Sequence, residues 1–344
     1  MSAAADEPYL TENQGKGMNE PDRSRALVLL NMGGPTTSAE VEPYLLRLFS
    51  DRELLPLLPG GFGQRLFARW MSRLRAPASR EKYRRIGGGS PLLEWTEKQA
   101  RAVCGQLPTG FTPFVAMRYS APFAGDAVAA IRAAGIDEAV VLPMFPQYSA
   151  ATSGSSLKDF GRAAACIHPG LKYSVVDSWY LSGGYLDALA ATVLEGLAAF
   201  PEEQRSQVPI LFSAHSLPQR LVDKGDPYLN QTLRTVRGVV QRIGECPWHL
   251  GFQSRNGPVK WLGPSIRELM ERLARQGHLA LLVVPVSFVS DHLETLWDID
   301  IAYREMARQL GIRHFVRSPA LNDRPDFIAA LAHLIMEHLE WQNR

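Results

Sequence analysis

The stretch Val208–Pro218, VPILFSAHSLP, is an apolar run that ends in Ser-Ala-His-Ser and is followed at once by the helix-starting Pro218. A second run, Ala280 to Phe288, leads in the same way into SDHLET, Ser290 to Thr295. Short continuous apolar runs of this kind read as strands buried on both faces, which is the signature of parallel sheets. Two such strands would deliver an imidazole and a carboxylate to one sheet edge, the edge where open α/β sheets bind ligands. The fold class is therefore α/β, and the chemistry is expected at the ends of its strands.

Working outward, apolar runs and helical patterns alternate along the chain. Ala26–Asn31 precedes a helical pattern over Ala39–Phe49, Phe114–Arg118 precedes Ala124–Ala134, and Ala139–Met144 precedes Ser155–Ala165. The alternation restarts at Tyr173–Val176 and continues to His314–Arg317, with a last helix over Arg324–Glu340 expected to pack back on the first half. Eight or nine strands exceed one small doubly wound unit, so two α/β halves with a cleft between them are predicted. The predicted divisions are a disordered tail over residues 1–24, a first domain over 25–165, a second over 166–318 and the terminal helix over 319–344. One segment breaks the rhythm. Asp51–Arg75, DRELLPLLPGGFGQRLFARWMSRLR, interleaves leucines and aromatics with arginines, and suits either a lid over a pocket or a basic amphipathic face on a membrane surface.

Composition bounds the function. With 37 Lys and Arg against 35 Asp and Glu, the net charge of +2 gives no general attraction to nucleic acid. Three widely separated cysteines, Cys104, Cys166 and Cys246, form neither a disulfide framework nor a thiolate cluster, which fits a reducing, cytoplasmic setting. The polar, acid-containing start does not read as a secretory signal, and the longest apolar stretch is too short for a spanning helix.

Several residues carry candidate chemistry, each with a plainer reading beside it. His215 at its strand end could ligate a metal or move a proton, or could simply bond a nearby carbonyl. Glu294 could cap the following helix in partnership with Asp291, or could form with Asp298, four residues on, an acidic face that passes a cation or protons inward. His292 is placed to orient a neighbouring catalytic group. NMGGP (Asn31–Pro35) and IGGGSP (Ile86–Pro91) are weak anion cradles or tight turns. Arg75, Tyr83, Arg118, Tyr119, Tyr148 and Trp261 could sandwich a large flat anionic ligand.

Taken together and in order, LLNMGGP, LLRLFSDREL, KYRRIGGGSP, FPQYSAATSGSS, LFSAHSLP, GDPY, KWLGPS and SDHLETLWDID resemble the ferrochelatase family over about Ala26 to Leu339. The resemblance implies two Rossmann-like, doubly wound domains of the chelatase type with a porphyrin cleft between them. It implies a lyase that inserts Fe2+ into protoporphyrin IX to give protohaem and two protons, the last step of haem synthesis. His215 and Glu294 fall on the family's catalytic and metal-binding positions, with His292 in support and Asp298 as an outer acid. Met32, Arg75, Tyr83, Ser90 and Trp261 fall on its porphyrin contacts. Methionine at position 32 points to protoporphyrin IX rather than coproporphyrin III, where tyrosine is usual. Iron is expected as a substrate, with no tightly bound cofactor and, given the absence of a cysteine-rich extension, no 2Fe–2S cluster. The Asp51–Arg75 segment corresponds to the family's apolar lip, which implies a peripheral contact with the inner membrane surface. The acidic row is expected to break at Ala302, with Asp300 off its face. The competing expectations are a coproporphyrin III enzyme and a non-catalytic porphyrin or haem carrier.

Overall fold

The computed structural model describes residues 24–52, 61–254 and 259–342. The predicted tail over residues 1–24 falls, but for its last residue, outside the described residues, as do positions 53–60 of the predicted lip.

Two four-stranded sheets, parallel throughout, organise the chain. The first is ordered β2-β1-β3-β4, from β1 (Arg25–Asn31), β2 (Phe111–Met117), β3 (Glu138–Pro143) and β4 (Lys172–Val175). The second is ordered β6-β5-β7-β8, from β5 (Ile210–His215), β6 (Trp248–Gln253), β7 (Ala280–Pro285) and β8 (His314–Arg317). The central strands explain their own composition. In β1, Leu27 and Leu29 enter a core shared by both halves, while Ala26, Val28 and Leu30 enter a second core on the opposite face. In β5, Ile210 and Phe212 join the shared core, and Leu211 points into a third cluster. Strands covered on both faces need apolar residues at every position, which is why they read as continuous runs.

Helices close the outer faces. Those of the first half are α1 (Val41–Ser50), α2 (Gly61–Arg85), α3 (Leu92–Cys104), α4 (Ala124–Ala133) and α5 (Ser155–Ile167). Those of the second are α6 (Gly183–Ala198), α7 (Gln219–Asp223), α8 (Tyr228–Ile243), α9 (Ile266–Arg275) and α10 (Arg304–Gln309), with α11 (Pro325–Gln342) last. Val128 of α4 and Phe160 of α5 fill the outer core of the first sheet. Ile266, Leu269 and Met270 of α9 do the same for the second. Each half also contains a π-helical stretch on the way out of its third strand, Ala150–Gly154 before α5 and Glu294–Tyr303 before α10. The i→i+5 pattern is rare and concentrates at functional sites.

One predicted boundary is corrected. The second domain was expected to begin at residue 166 and to include the strand at Tyr173–Val176, yet β4 pairs in parallel with β3, with Glu138 beside Lys172, so the first sheet runs on to Val175. A βα rhythm shows that another strand follows but not which sheet it joins. As an edge strand with two exposed residues, β4 carries little apolar pattern of its own. The terminal helix α11 packs against α3 of the first half and α6 of the second, with Phe327 and Leu331 in the shared core.

Candidate active site

A cleft of about 740 Å³, open to solvent on one side, lies at the carboxyl ends of the central strands of both sheets. Its walls are largely apolar, with Met32, Leu92, Met144 and Phe288 among them; neutral polar side chains such as Asn31 and Gln147 join them, and the imidazoles and carboxylate of His215, His292 and Glu294 all come from the second half.

These three side chains form a chain. His215 is the last residue of β5 and Glu294 the first of the second π-helix. His215 Nδ1 lies 3.0 Å from Glu294 Oε1, and His292 Nε2 lies 3.2 Å from Glu294 Oε2. One carboxylate therefore sits between two imidazoles. With Nδ1 donating to Glu294, His215 retains Nε2 as the ring nitrogen with a free lone pair for the cleft. His292 Nδ1 faces the Ser290 carbonyl at 3.0 Å, and a carbonyl only accepts, so Nδ1 carries a proton. The contact from Nε2 to Glu294 then needs a second proton, on the ring or on the carboxyl.

Burial opposes charge on His215, but the Glu294 carboxylate and, more weakly, Asp298 outweigh it, so the imidazole pKa is raised. For Glu294, burial acts upward, while His215 and then His292 hold the carboxyl well below the usual range. Asp298 moves the other way, raised by burial and by the charge of Glu294. Two acids one turn apart are thus pushed in opposite directions, Glu294 toward its charged form and Asp298 toward taking up a proton.

Between them stands Ser254, whose Oγ lies 3.3 Å from both Glu294 Oε1 and Asp298 Oδ2. Beyond Asp298 the row stops. Ala302 occupies the next turn, and Asp300 points away to bond Arg317 at 2.9 Å. The outer end instead meets α2, where Lys82 Nζ lies 3.8 Å from Asp298 Oδ1, and Lys82 and Arg85 stack over Trp297.

The helix-capping alternative for Glu294 is overturned. Thr295 takes that role, its hydroxyl accepting from the His292 N–H and donating to Asp291, which leaves the Glu294 carboxylate to the imidazoles. The arginine and aromatic set is only partly a ligand sandwich. Arg118, Tyr119 and Ser155 all donate to the buried Asp51 carboxylate, at 2.9, 2.8 and 2.7 Å, so they form a closed polar cluster. Charge neutralised in this way is fixed in place rather than offered to a ligand.

The two glycine motifs are packing turns. The Gly34 N–H donates to Ser120 Oγ, and a Cβ on Gly34 would stand 2.6 Å from Ser90 Oγ. Ser90 N–H in turn donates to the Pro35 carbonyl at 2.7 Å, so the two turns brace each other.

Of the residues assigned to porphyrin contact, Met32 lines the cleft. Tyr83 is buried behind it against Tyr44 and Tyr119, its hydroxyl pKa raised by burial and by Tyr44, Glu294 and Asp298. Ser90 is buried, and Arg75 and Trp261 are half-buried outside the cleft lining. The Trp261 Nε1–H is buried with no acceptor among the described residues, and Trp261 bridges to Pro218 just beyond the SAHS turn. The residue reading missed Ser287, Phe288 and Gln147, which line the cleft and lie at the ends of the third strands of the two sheets. A polar residue closing an apolar run, as Ser287 does, was the available signal.

The comparisons agree with this geometry. The ferrochelatase family model matches residues 24–339. A ferrochelatase of Geotalea uraniireducens is 50% identical over 310 residues, covering 90% of this chain and 96% of its own. One from Synechococcus elongatus is 43% identical over 321 residues, covering 91% of this chain and 82% of its own. Among solved structures, SirB from Bacillus subtilis with Fe3+ superposes with a TM-score of 0.55 at 11% identity, over 91% of this chain and 95% of that one, which is a likeness of fold. The chain therefore belongs to the ferrochelatase family.

Proposed function

We propose that the protein inserts Fe2+ into protoporphyrin IX, giving protohaem and releasing two protons, with His215 and Glu294 as the groups that handle metal and protons. The observation that carries this is the hydrogen-bonded chain of His215, Glu294 and His292 in a largely apolar cleft. A free porphyrin hides its nitrogen lone pairs in the ring plane and fills its centre with two N–H protons. Insertion requires the ring to distort, the metal to shed water and both protons to leave.

The apolar wall containing Met32 holds the flat faces of the macrocycle, and binding energy gathered away from the centre favours a saddled ring over a planar one. His215 Nε2 then receives a pyrrole proton, and Glu294 stabilises the imidazolium so formed. The second proton leaves along Glu294 and Asp298, whose raised pKa suits it to proton uptake. Iron is the substrate of this sequence of steps. Met32 on the cleft wall favours protoporphyrin IX over coproporphyrin III.

Anaerobic absorption spectroscopy with Fe2+ and either porphyrin tests the reading. Conversion of free-base to metalloporphyrin bands, faster with protoporphyrin IX, is expected. Tight binding without metallation, under conditions where a control chelatase works, would replace it with a carrier role.

The exposed face of α2 supports a peripheral membrane contact. Leu66, Trp70 and Leu74 recur at helical spacing, Trp70 with 62% of its surface open, and Arg65, Arg69 and Arg73 flank them. Leu54, Leu55 and Phe62, the other candidates in the lip, have side chains outside the described residues. Among the described residues no helix is long and apolar enough to cross a membrane. Flotation with anionic liposomes should carry the wild type upward and leave the triple variant Leu66→Ser, Trp70→Ser, Leu74→Ser behind; equal recovery of both below the vesicles would remove the contact.

A further inference from the structure

The backbone of His215 is held from both sides. Its N–H donates to Ser287 Oγ at 2.9 Å, and its carbonyl accepts from the Tyr228 hydroxyl at 2.9 Å. Ser287 and Tyr228 thus clamp one peptide, one at its donor and one at its acceptor. Both side chains are buried and both line the cleft.

Tyr228 is also anchored to the other half of the molecule. Tyr228 opens α8, and its N–H donates to Asp226 Oδ1 at 3.1 Å. Asp226 Oδ2 accepts from Ser149 Oγ and from the Ala150 N–H, both at 2.9 Å, at the start of the first π-helix. Tyr228 is therefore held at its hydroxyl end by the peptide of His215 and at its backbone, through Asp226, by the first half.

We propose that Tyr228 and Ser287 are positioning residues for the reaction: together they fix the peptide of His215, so that its imidazole meets the centre of the bound ring along one line of approach. This rests on the reading of His215 as the group that meets metal or pyrrole protons. A peptide free to rock would tilt the imidazole by its full length, and displacements near 1 Å in a reacting group cost up to ~100-fold in rate. Loss of either bond to this peptide is expected to cost about 10- to 50-fold in kcat.

The test compares Tyr228→Phe, Ser287→Ala and Ser287→Thr with His215→Ala and with Tyr185→Phe in the full-length protein, using Fe2+ and protoporphyrin IX without oxygen. Tyr185 is the matched control, because it too is buried and its hydroxyl reaches the Val286 carbonyl at 3.3 Å without touching the His215 peptide. Porphyrin binding, read by fluorescence quenching, shows that each variant is folded. Expected are a His215→Ala variant without turnover, a 10- to 50-fold lower kcat for Tyr228→Phe and Ser287→Ala with the porphyrin KM within twofold, recovery in Ser287→Thr, and wild-type turnover in Tyr185→Phe. If His215→Ala is dead while Tyr228→Phe works within twofold of wild type, the two hydroxyls have no positioning role, although the reading of His215 stands. If Tyr185→Phe falls as far as Tyr228→Phe, the loss belongs to the core in general and the proposal fails. An active His215→Ala removes both readings.

Discussion

The two halves of the molecule share one plan and differ in what stands at its ends. Both sheets have the same order, with the half's first strand lying between its second and third. In the first sheet Leu30 is registered with Pro143, and in the second Ser213 with Pro285. Two residues further along β1 and β5 come Met32 and His215, in equivalent positions, and both line the cleft. Two residues beyond the registered prolines come Phe145 and Ser287, again equivalent and again on the cleft wall. Each third strand leads into a π-helical stretch, which in the first half begins with Ala150 and in the second with Glu294. The scaffold is thus repeated while the chemistry is not. One half offers thioether and phenyl to the face of a flat ligand, and the other offers imidazole, hydroxyl and carboxylate.

Buried charge divides in the same way. Asp51 in the first half is enclosed by Arg118, Tyr119 and Ser155. Glu294 is less withdrawn from bulk water, its side chain 18% exposed against 4% for Asp51, and its partners His215 and His292 both face the cleft. A closed cluster holds structure, and an open one can exchange protons and metal.

The comparison can be broken most severely at Glu294. Glu294→Gln is expected to lower kcat by ~100- to 1,000-fold, within the usual range for a general acid or base. It should also move the acid limb of the kcat/KM profile. Glu294 raises the pKa of His215, so its removal leaves burial to lower that pKa, and the base becomes available at lower pH. A limb that moved upward, or stayed in place, would contradict the assignment.

The matching change in the first half should act on stability alone. Asp51→Ala leaves Arg118 in a partly buried place without its nearest carboxylate, and urea unfolding should register a loss of about 3 kcal/mol. The folded fraction should turn over at the wild-type rate, and a specific loss of kcat would show that this cluster is not merely structural.

The extent to which this layout was legible in the sequence follows from the same physics. Doubly covered strands must be apolar throughout, so β1, β3, β5 and β7 stood out within about three residues of their ends, and His215 was conspicuous as a polar residue closing such a run. Sheet membership was not legible for β4, because an exposed edge strand has no requirement to be apolar. The role of Glu294 was ambiguous because a carboxylate three residues after Asp291 looks the same whether it caps amides or faces a histidine. Only the π-helical turn, which has no simple sequence signature, decides that it faces inward. Arg118 looked like a ligand for the same reason: its partner Asp51 lies 67 residues away.

Smaller effects sharpen the contrast further. Met32→Ala should raise the KM for protoporphyrin IX about 5- to 10-fold through lost apolar contact, with kcat nearly preserved. A collapse of kcat would give the first half a share in the chemistry. Least of all is expected from Ala302→Glu, which restores an acid to the outer turn. Because Lys82 already sits beside Asp298, the added charge should lower the KM for Fe2+ by no more than ~3-fold, and only at low ionic strength.

The central claim is that the second half performs the insertion while the first half holds the ring. Anaerobic single-turnover absorption spectroscopy of His215→Ala beside Met32→Ala, each loaded with protoporphyrin IX and mixed with excess Fe2+, tests it directly. The account predicts a bound free-base spectrum that persists in His215→Ala and a metalloporphyrin spectrum that develops in Met32→Ala at close to the wild-type rate. Metallation in His215→Ala, with none in Met32→Ala, would contradict it.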